Sequence, residues 1–541
     1  MKRESTDKIV LDGKNLTIAE LIKVTRNFAP VEITPTCRDN IEKVRQYIEE
    51  HWMNDDAPPI YGFTTGLGKL KDTRISPAQN DLFQRNIIMS HSGCVGEPLP
   101  EEVVRAAMVV RVNLFCRGVC GLRMETVDRL LEMLNRRVHP VVPMLGSVGC
   151  SGDLAPLAHI VAAMTGYERA EAIYEGKRLP ARTALECAGM IPTFELKAKD
   201  TLSLVNGTTV FTAYAALNVH DAYELVKMAD ITGSLSLEAM RGEFGAFDPR
   251  YQEVGNHGGQ TATAANVLKL TDGSTRCSDE ARKVHLKNDI THPVWKPRIQ
   301  DLLSLRCIPQ VHGAIRDNLG YITRTIEREL NSVTDNPLVF WNEEGGLDFV
   351  SGGNSHGEPT GFAMDILCMS MAELGNISER RIFALCDPCL SYGLPPMLAG
   401  EPVGLNCGYA VISCSAAAIA SENKTLCFPA TADNITTKGS QEDHVSMAPW
   451  ATRKARMVMS NLEKILGIEA LIASQAISIT EKELPGFRLG RGTGAVYERI
   501  RKDFPGTEKD EYMPDQSRTC IALIESRELL HAAESTIGKF V

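Results

Sequence analysis

Long apolar runs are missing from this chain. The longest weakly polar stretch, residues 408–420, is too short for a bilayer and contains Ser413 and Ser415, so it reads as a buried helix and no membrane span is expected. An apolar leader is also missing after Met1-Lys2-Arg3-Glu4-Ser5, which points to the cytoplasm. Blocks of one charge sign are absent: the net charge is -10 with acids and bases interspersed, and nothing asks for nucleic acid. The 15 cysteines lie mostly inside apolar segments such as Leu367-Cys368, as reduced core thiols do. Cys386 and Cys389 have the spacing of a zinc or redox pair, but no second pair follows, so no metal is expected. Internal repeats and low-complexity tracts are missing too.

What is present is enough apolar residue, 43% of 541, to bury an extensive core. Residues 1–200 mix short helical and extended pieces with many turns, as in Ala57-Pro58-Pro59-Ile60-Tyr61-Gly62, and predict a loop-rich mixed domain. From about residue 201 the pattern turns helical. Phe211, Ala215, Val219, Ala222, Val226 and Ala229 share one helix face, Ala363, Leu367, Met371, Leu374 and Ile377 another, and no proline interrupts residues 450–484. Residues 201–484 therefore predict a long helical bundle with polar loops at its ends, and residues 485–541 a helical cover. Gly490, Gly492 and Gly494 have dinucleotide-loop spacing, but such a loop needs a strand before it, and the neighbours are helical.

One segment is compositionally odd. In Gly146-Ser147-Val148-Gly149-Cys150-Ser151-Gly152-Asp153, small residues crowd a serine just before an apolar run. Sequence physics alone gives a glycine turn, with Asp153 capping the helix that follows and Pro156 in its first turn. The same bland reading makes Tyr61 a turn tyrosine, Asn206 a helix cap, Arg306 a surface arginine, His91 a histidine satisfied by Ser90, and Glu442 with His444 a loop ion pair.

The segment closely resembles the prosthetic-group loop of the aromatic amino acid ammonia-lyase and aminomutase family, in which a small residue, Ser and Gly condense to 4-methylideneimidazol-5-one (MIO). The resemblance continues through Tyr61-Gly62-Phe63-Thr64-Thr65-Gly66, Leu204-Val205-Asn206-Gly207, Asp335-Asn336-Pro337 and Gln441-Glu442-Asp443-His444-Val445-Ser446-Met447, so it spans roughly residues 10 to 500. It implies a mainly α, fumarase/aspartase-like architecture and a homotetramer with shared active sites. MIO would form from Cys150, Ser151 and Gly152 without an external cofactor, Gly152 offering an unobstructed backbone nitrogen. Tyr61 would be the general base, Asn206 a neighbour of substrate and prosthetic group, and Arg306 the grip on the substrate carboxylate.

Ser90-His91 and Glu442 are similar to the histidine lyases of the family, which makes conversion of histidine to urocanate the first expectation. Three departures stand out. Cys150 replaces the usual Ala, Leu303 stands where a tyrosine is common, and Ser355 where a phenylalanine is common. Leu303 and Ser355 leave room for a larger or phenolic ring, so phenylalanine or tyrosine ammonia-lyase and 2,3-aminomutase are the enzymatic alternatives, and a non-enzymatic homologue the alternative from another class.

Overall fold

A computed structural model describes residues 8–289 and 299–541, and helices dominate it. The longest are Thr209–Ala239, Ile308–Leu330, Glu358–Cys386 and Ala448–Ile479. Helix Thr209–Ala239 is buried nearly all round, and residues off the expected face, such as Leu217 and Leu225, are as buried as those on it. Ala363, Leu367, Met371 and Leu374 of helix Glu358–Cys386 are fully buried, as their spacing predicts. Strands among the described residues are short and gather into sheets of two or three.

Contacts divide the chain into two compact units, each assembled from separated stretches. One compact unit takes the chain up to His220 with Thr323–Asp365 and Pro429–Arg453; the other takes Asp221–Ile322, Ile366–Phe428 and Lys454–Val541. Four of the five boundaries fall within a long helix, and the fifth, between Phe428 and Pro429, follows the end of helix Ala410–Leu426.

The first unit holds all the strands found among the described residues. Its helix Ile18–Asn27 starts on a capping box, with Thr17 and Glu20 satisfying each other's backbone N–H groups. Trp52, Ile60, Phe63 and Val339 belong to one buried cluster, which anchors the chain on both sides of Tyr61. The second unit carries helices Arg491–Asp503, Met513–Glu525 and Glu528–Ile537. Gly490 is the N-cap of the first of these, and helix Ala448–Ile479, not a strand, is the element before it.

Residues 408–420 depart from expectation. They contribute to helix Ala410–Leu426, but only Ala416 and Asn423 of that helix are buried and Val411 is 80% exposed. Small apolar residues favour the helix here, yet the described residues leave most of it uncovered.

Candidate active site

The odd segment leaves strand Pro143–Leu145 and is tied down at several points. Ser147 Oγ donates to the Gly152 carbonyl at 3.0 Å, the Gly149 carbonyl accepts from Gly357 N–H and from Ser446 Oγ, each at 3.0 Å, and Met447 N–H donates to the Val148 carbonyl at 3.0 Å. Gly152 has φ +70°, and a Cβ there would lie 2.1 Å from the carbonyl atoms of Gly207. Only glycine fits such a contact. Asp153 N–H then donates to Gly207 O at 2.7 Å.

Asp153 does not cap its own helix, Leu154–Met164. Its Oδ2 accepts from Val210 N–H at 2.8 Å and Phe211 N–H at 3.0 Å, at the start of helix Thr209–Ala239. The free donors of that helix reach back across the fold for a carboxylate, a pairing that local sequence cannot show. Burial pushes the Asp153 carboxyl up to about 7, even against these two N–H groups.

Asn206 ends helix Asp200–Val205 in an extended conformation. Its Nδ2 donates to Asn336 O at 2.9 Å, the buried Arg111 guanidinium donates to its backbone carbonyl, and its Oδ1 is buried without a partner. Beside it Asp335 accepts from Lys199 and Ser203, each at 2.9 Å, in a fully buried cluster. Tyr61 Oη accepts from Gly68 N–H at 2.9 Å. Burial raises the phenol pKa and Glu442 adds to this, while the Gly68 N–H and Lys71 work against it.

His91 is the last residue of helix Asn80–His91, and its Nδ1 lies 2.9 Å from Ser90 Oγ. Burial lowers its pKa, opposed by a hydrogen bond to the Ile87 carbonyl and reinforced by the charge of Lys438, so the ring is neutral at pH 7. Glu442 Oε1 accepts from Ser151 Oγ at 2.9 Å and from Lys438 Nζ at 3.2 Å, while Oε2 is buried without a partner.

Tyr61, His91, Ser151, Asn206, Ser355 and Glu442 all line one cavity of about 640 Å³. Leu67, Ile75, Phe83, Ile87 and Leu202 supply apolar wall, and Lys438 lines the cavity too. Cys150 is half-buried beside Ser151, and its side chain is not part of the lining. Leu303 and Arg306 belong to the second unit, in the short helix Leu303–Arg306, and do not line this cavity. Leu303 is 62% exposed, and Arg306 Nε is buried without a hydrogen-bond partner. Arg111 and Lys438 are groups that the motifs did not single out. Lys438 had a signal, a base four residues before Glu442 across a glycine.

Such an arrangement suits covalent activation with proton transfer. A serine before a glycine, a half-buried phenol, a neutral imidazole and buried acceptors surround a largely apolar space. Comparison with known proteins agrees. A family model described as aromatic amino acid lyase matches residues 16–502. The chain is 42% identical to a histidine ammonia-lyase of Alkaliphilus oremlandii (strain OhILAs), over 98% of this chain and 99% of that protein. Among solved structures it is similar to histidine ammonia-lyase from Trypanosoma cruzi, with 36% identity, TM-score 0.85 and coverage of 98% and 95% of the two chains. It is also similar to tyrosine aminomutase from Streptomyces globisporus, with 32% identity, TM-score 0.89 and coverage of 98% and 99%.

Proposed function

The chain belongs to the aromatic amino acid lyase family, and from that premise we propose that it eliminates ammonia from L-histidine to give urocanate, using MIO closed from its own Cys150, Ser151 and Gly152. The observation that carries this reading is the meeting of Tyr61, His91, Ser151, Asn206 and Glu442 at one cavity. Closure joins the Gly152 nitrogen to the Cys150 carbonyl carbon with loss of one water, and Ser151 loses a second as its Cβ–Oγ bond breaks. The residues fit that change. Gly152 has no side chain and is held by Ser147, and Ser151 Oγ already rests on a carboxylate. The prosthetic group supplies an electrophilic methylidene that turns a poor amine leaving group into a better one.

The chain's own side chains do the remaining work. Tyr61, as phenolate, takes the β-proton; the Gly68 N–H favours that charged form, and burial makes the phenolate a stronger base once formed. The unpaired Asn206 Oδ1 and Glu442 Oε2 are acceptors for substrate N–H groups. Neutral His91 faces the substrate ring. Arg306 and Leu303 reach this cavity from a neighbouring copy in a homotetramer; the unpartnered Arg306 Nε supports a carboxylate contact there. No helix among the described residues is long and apolar enough to cross a membrane, and we assign the enzyme to the cytoplasm.

A second reading, a lyase or 2,3-aminomutase acting on a phenolic amino acid, is favoured by Ser355 lining the cavity where a larger side chain would narrow it. Incubation with histidine, tyrosine and phenylalanine separately, with ammonia and organic product quantified by mass spectrometry, tests both. Urocanate and ammonia from histidine support the first reading. A phenolic acrylate or a β-amino acid as main product overturns it in favour of the second. An intact mass equal to the encoded mass, not short of it by two waters, overturns both.

A further inference from the structure

Lys438 stands on an unusual turn. Lys438, Gly439 and Ser440 have φ of 50°, 62° and 66°, three successive left-handed residues of which two carry side chains. The turn is closed by Thr437 N–H donating to Glu442 O at 2.9 Å and by Ser440 N–H donating to Thr437 O at 3.1 Å. It brings Lys438 Nζ onto the cavity wall, 3.2 Å from Glu442 Oε1. An ordinary surface ion pair between residues four apart needs only a regular helix turn. Here the backbone is held in a disfavoured conformation and the carboxylate partner is only 14% exposed.

The lysine side chain is 42% exposed, and the pair leaves hydrogen-bonding capacity unused. An ammonium carries three N–H donors, and the single hydrogen bond that Lys438 makes among the described residues is to Glu442. Glu442 Oε2 is a buried acceptor without a donor. This wall thus presents a donor beside an acceptor, in a cavity shared with neutral His91. A neutral imidazole has one N–H and one lone-pair nitrogen, and a phenol both donates and accepts. A phenyl ring does neither and leaves Glu442 Oε2 unpaired.

The geometry points to Lys438 as a specificity-determining residue, which fixes Glu442 and completes a donor–acceptor wall selecting ring substrates that both donate and accept. This rests on the assignment of Glu442 to the substrate-facing wall in the reaction proposed above.

The test compares wild type with Lys438→Met and Lys438→Arg. Calorimetric affinities for imidazolepropionate and phenylpropionate are measured alongside kcat and KM for histidine and phenylalanine, so the comparison stands without turnover. In Lys438→Met the affinity for imidazolepropionate falls about ten- to hundredfold while that for phenylpropionate changes less than about threefold. KM for histidine rises in step with kcat little changed, and Lys438→Arg recovers most of the loss. Tyr61, Lys69, Lys438 and Glu442 are the titratable side chains lining the cavity with His91. Removing the Lys438 charge, which lowers the His91 pKa, moves the acid limb of the histidine pH profile to higher pH. Equal losses for both acids, or affinities unchanged in Lys438→Met, overturn the inference. Discrimination between the two acids that Lys438→Met loses, in a protein that turns over no amino acid, supports the role of Lys438 and overturns the lyase reading.

Discussion

Two glutamates with buried carboxylate oxygens, one in each unit, meet opposite fates. Glu469 in the second unit is fully buried and surrounded by donors: Oε1 accepts from Ser236 Oγ and Arg381 Nε, and Oε2 from Thr232 Oγ1, Ser378 Oγ and Arg381 Nη2. Burial alone would raise its pKa, but the Arg381 charge and the hydroxyls outweigh burial and hold it below the ordinary carboxylate value. Glu442 in the first unit has donors on Oε1 only. A carboxylate with every lone pair engaged is structural. One with an empty buried acceptor bears a desolvation cost that folding leaves uncompensated, and that cost is recovered when a substrate donor arrives.

The comparison can be broken from the first unit. Ser151→Ala removes the hydroxyl that the proposed ring closure must lose; turnover drops to assay background, and the intact mass equals the encoded mass. The thermal midpoint is unchanged, because the Glu469 cluster is untouched. Tyr61→Phe keeps the mass deficit of two waters but lowers kcat by about 10²–10⁴-fold, as loss of a general base does.

Breaking the second unit gives the reverse signature. Glu469→Ala leaves the buried Arg381 charge uncompensated and destabilises by about 3–5 kcal/mol, read from denaturant midpoints. Activity per folded enzyme stays at the wild-type level. Glu442→Gln is milder: it leaves the denaturant midpoint in place and lowers kcat/KM for histidine by an amount equivalent to about 1–3 kcal/mol. The smallest effect is in pH. The folded pKa of Glu469 is depressed, so its contribution is fully present above about 4.3, the free glutamate value, and is lost as pH falls through the lower folded value. Glu469→Gln flattens that acid dependence of stability.

Helix Glu358–Cys386 was legible because burial there follows period: Leu367, Met371 and Leu374 fall on one face and are buried. Residues 408–420 gave the right element and the wrong environment, since apolar composition specifies a helix face but not the neighbour that covers it. At the site, the motif residues Tyr61, Ser151, Asn206 and Glu442 do share a cavity. The partner of Asp153 was illegible because the donors it satisfies lie 57 and 58 residues away, at another helix's start. Lys438 had only its spacing from Glu442 to mark it, because its direction is set by a left-handed turn, which propensity does not forecast for lysine or serine.

The bond from Ser151 Oγ to Glu442 gives the immature chain a character of its own. Until its hydroxyl departs, Ser151 is a placeholder, engaging the carboxylate that is to serve the substrate. On the maturation proposed here, losing that water both builds the electrophile and vacates a seat at Glu442. An uncyclised chain thus offers the substrate Oε2 alone, whereas a cyclised one also has a lone pair released on Oε1.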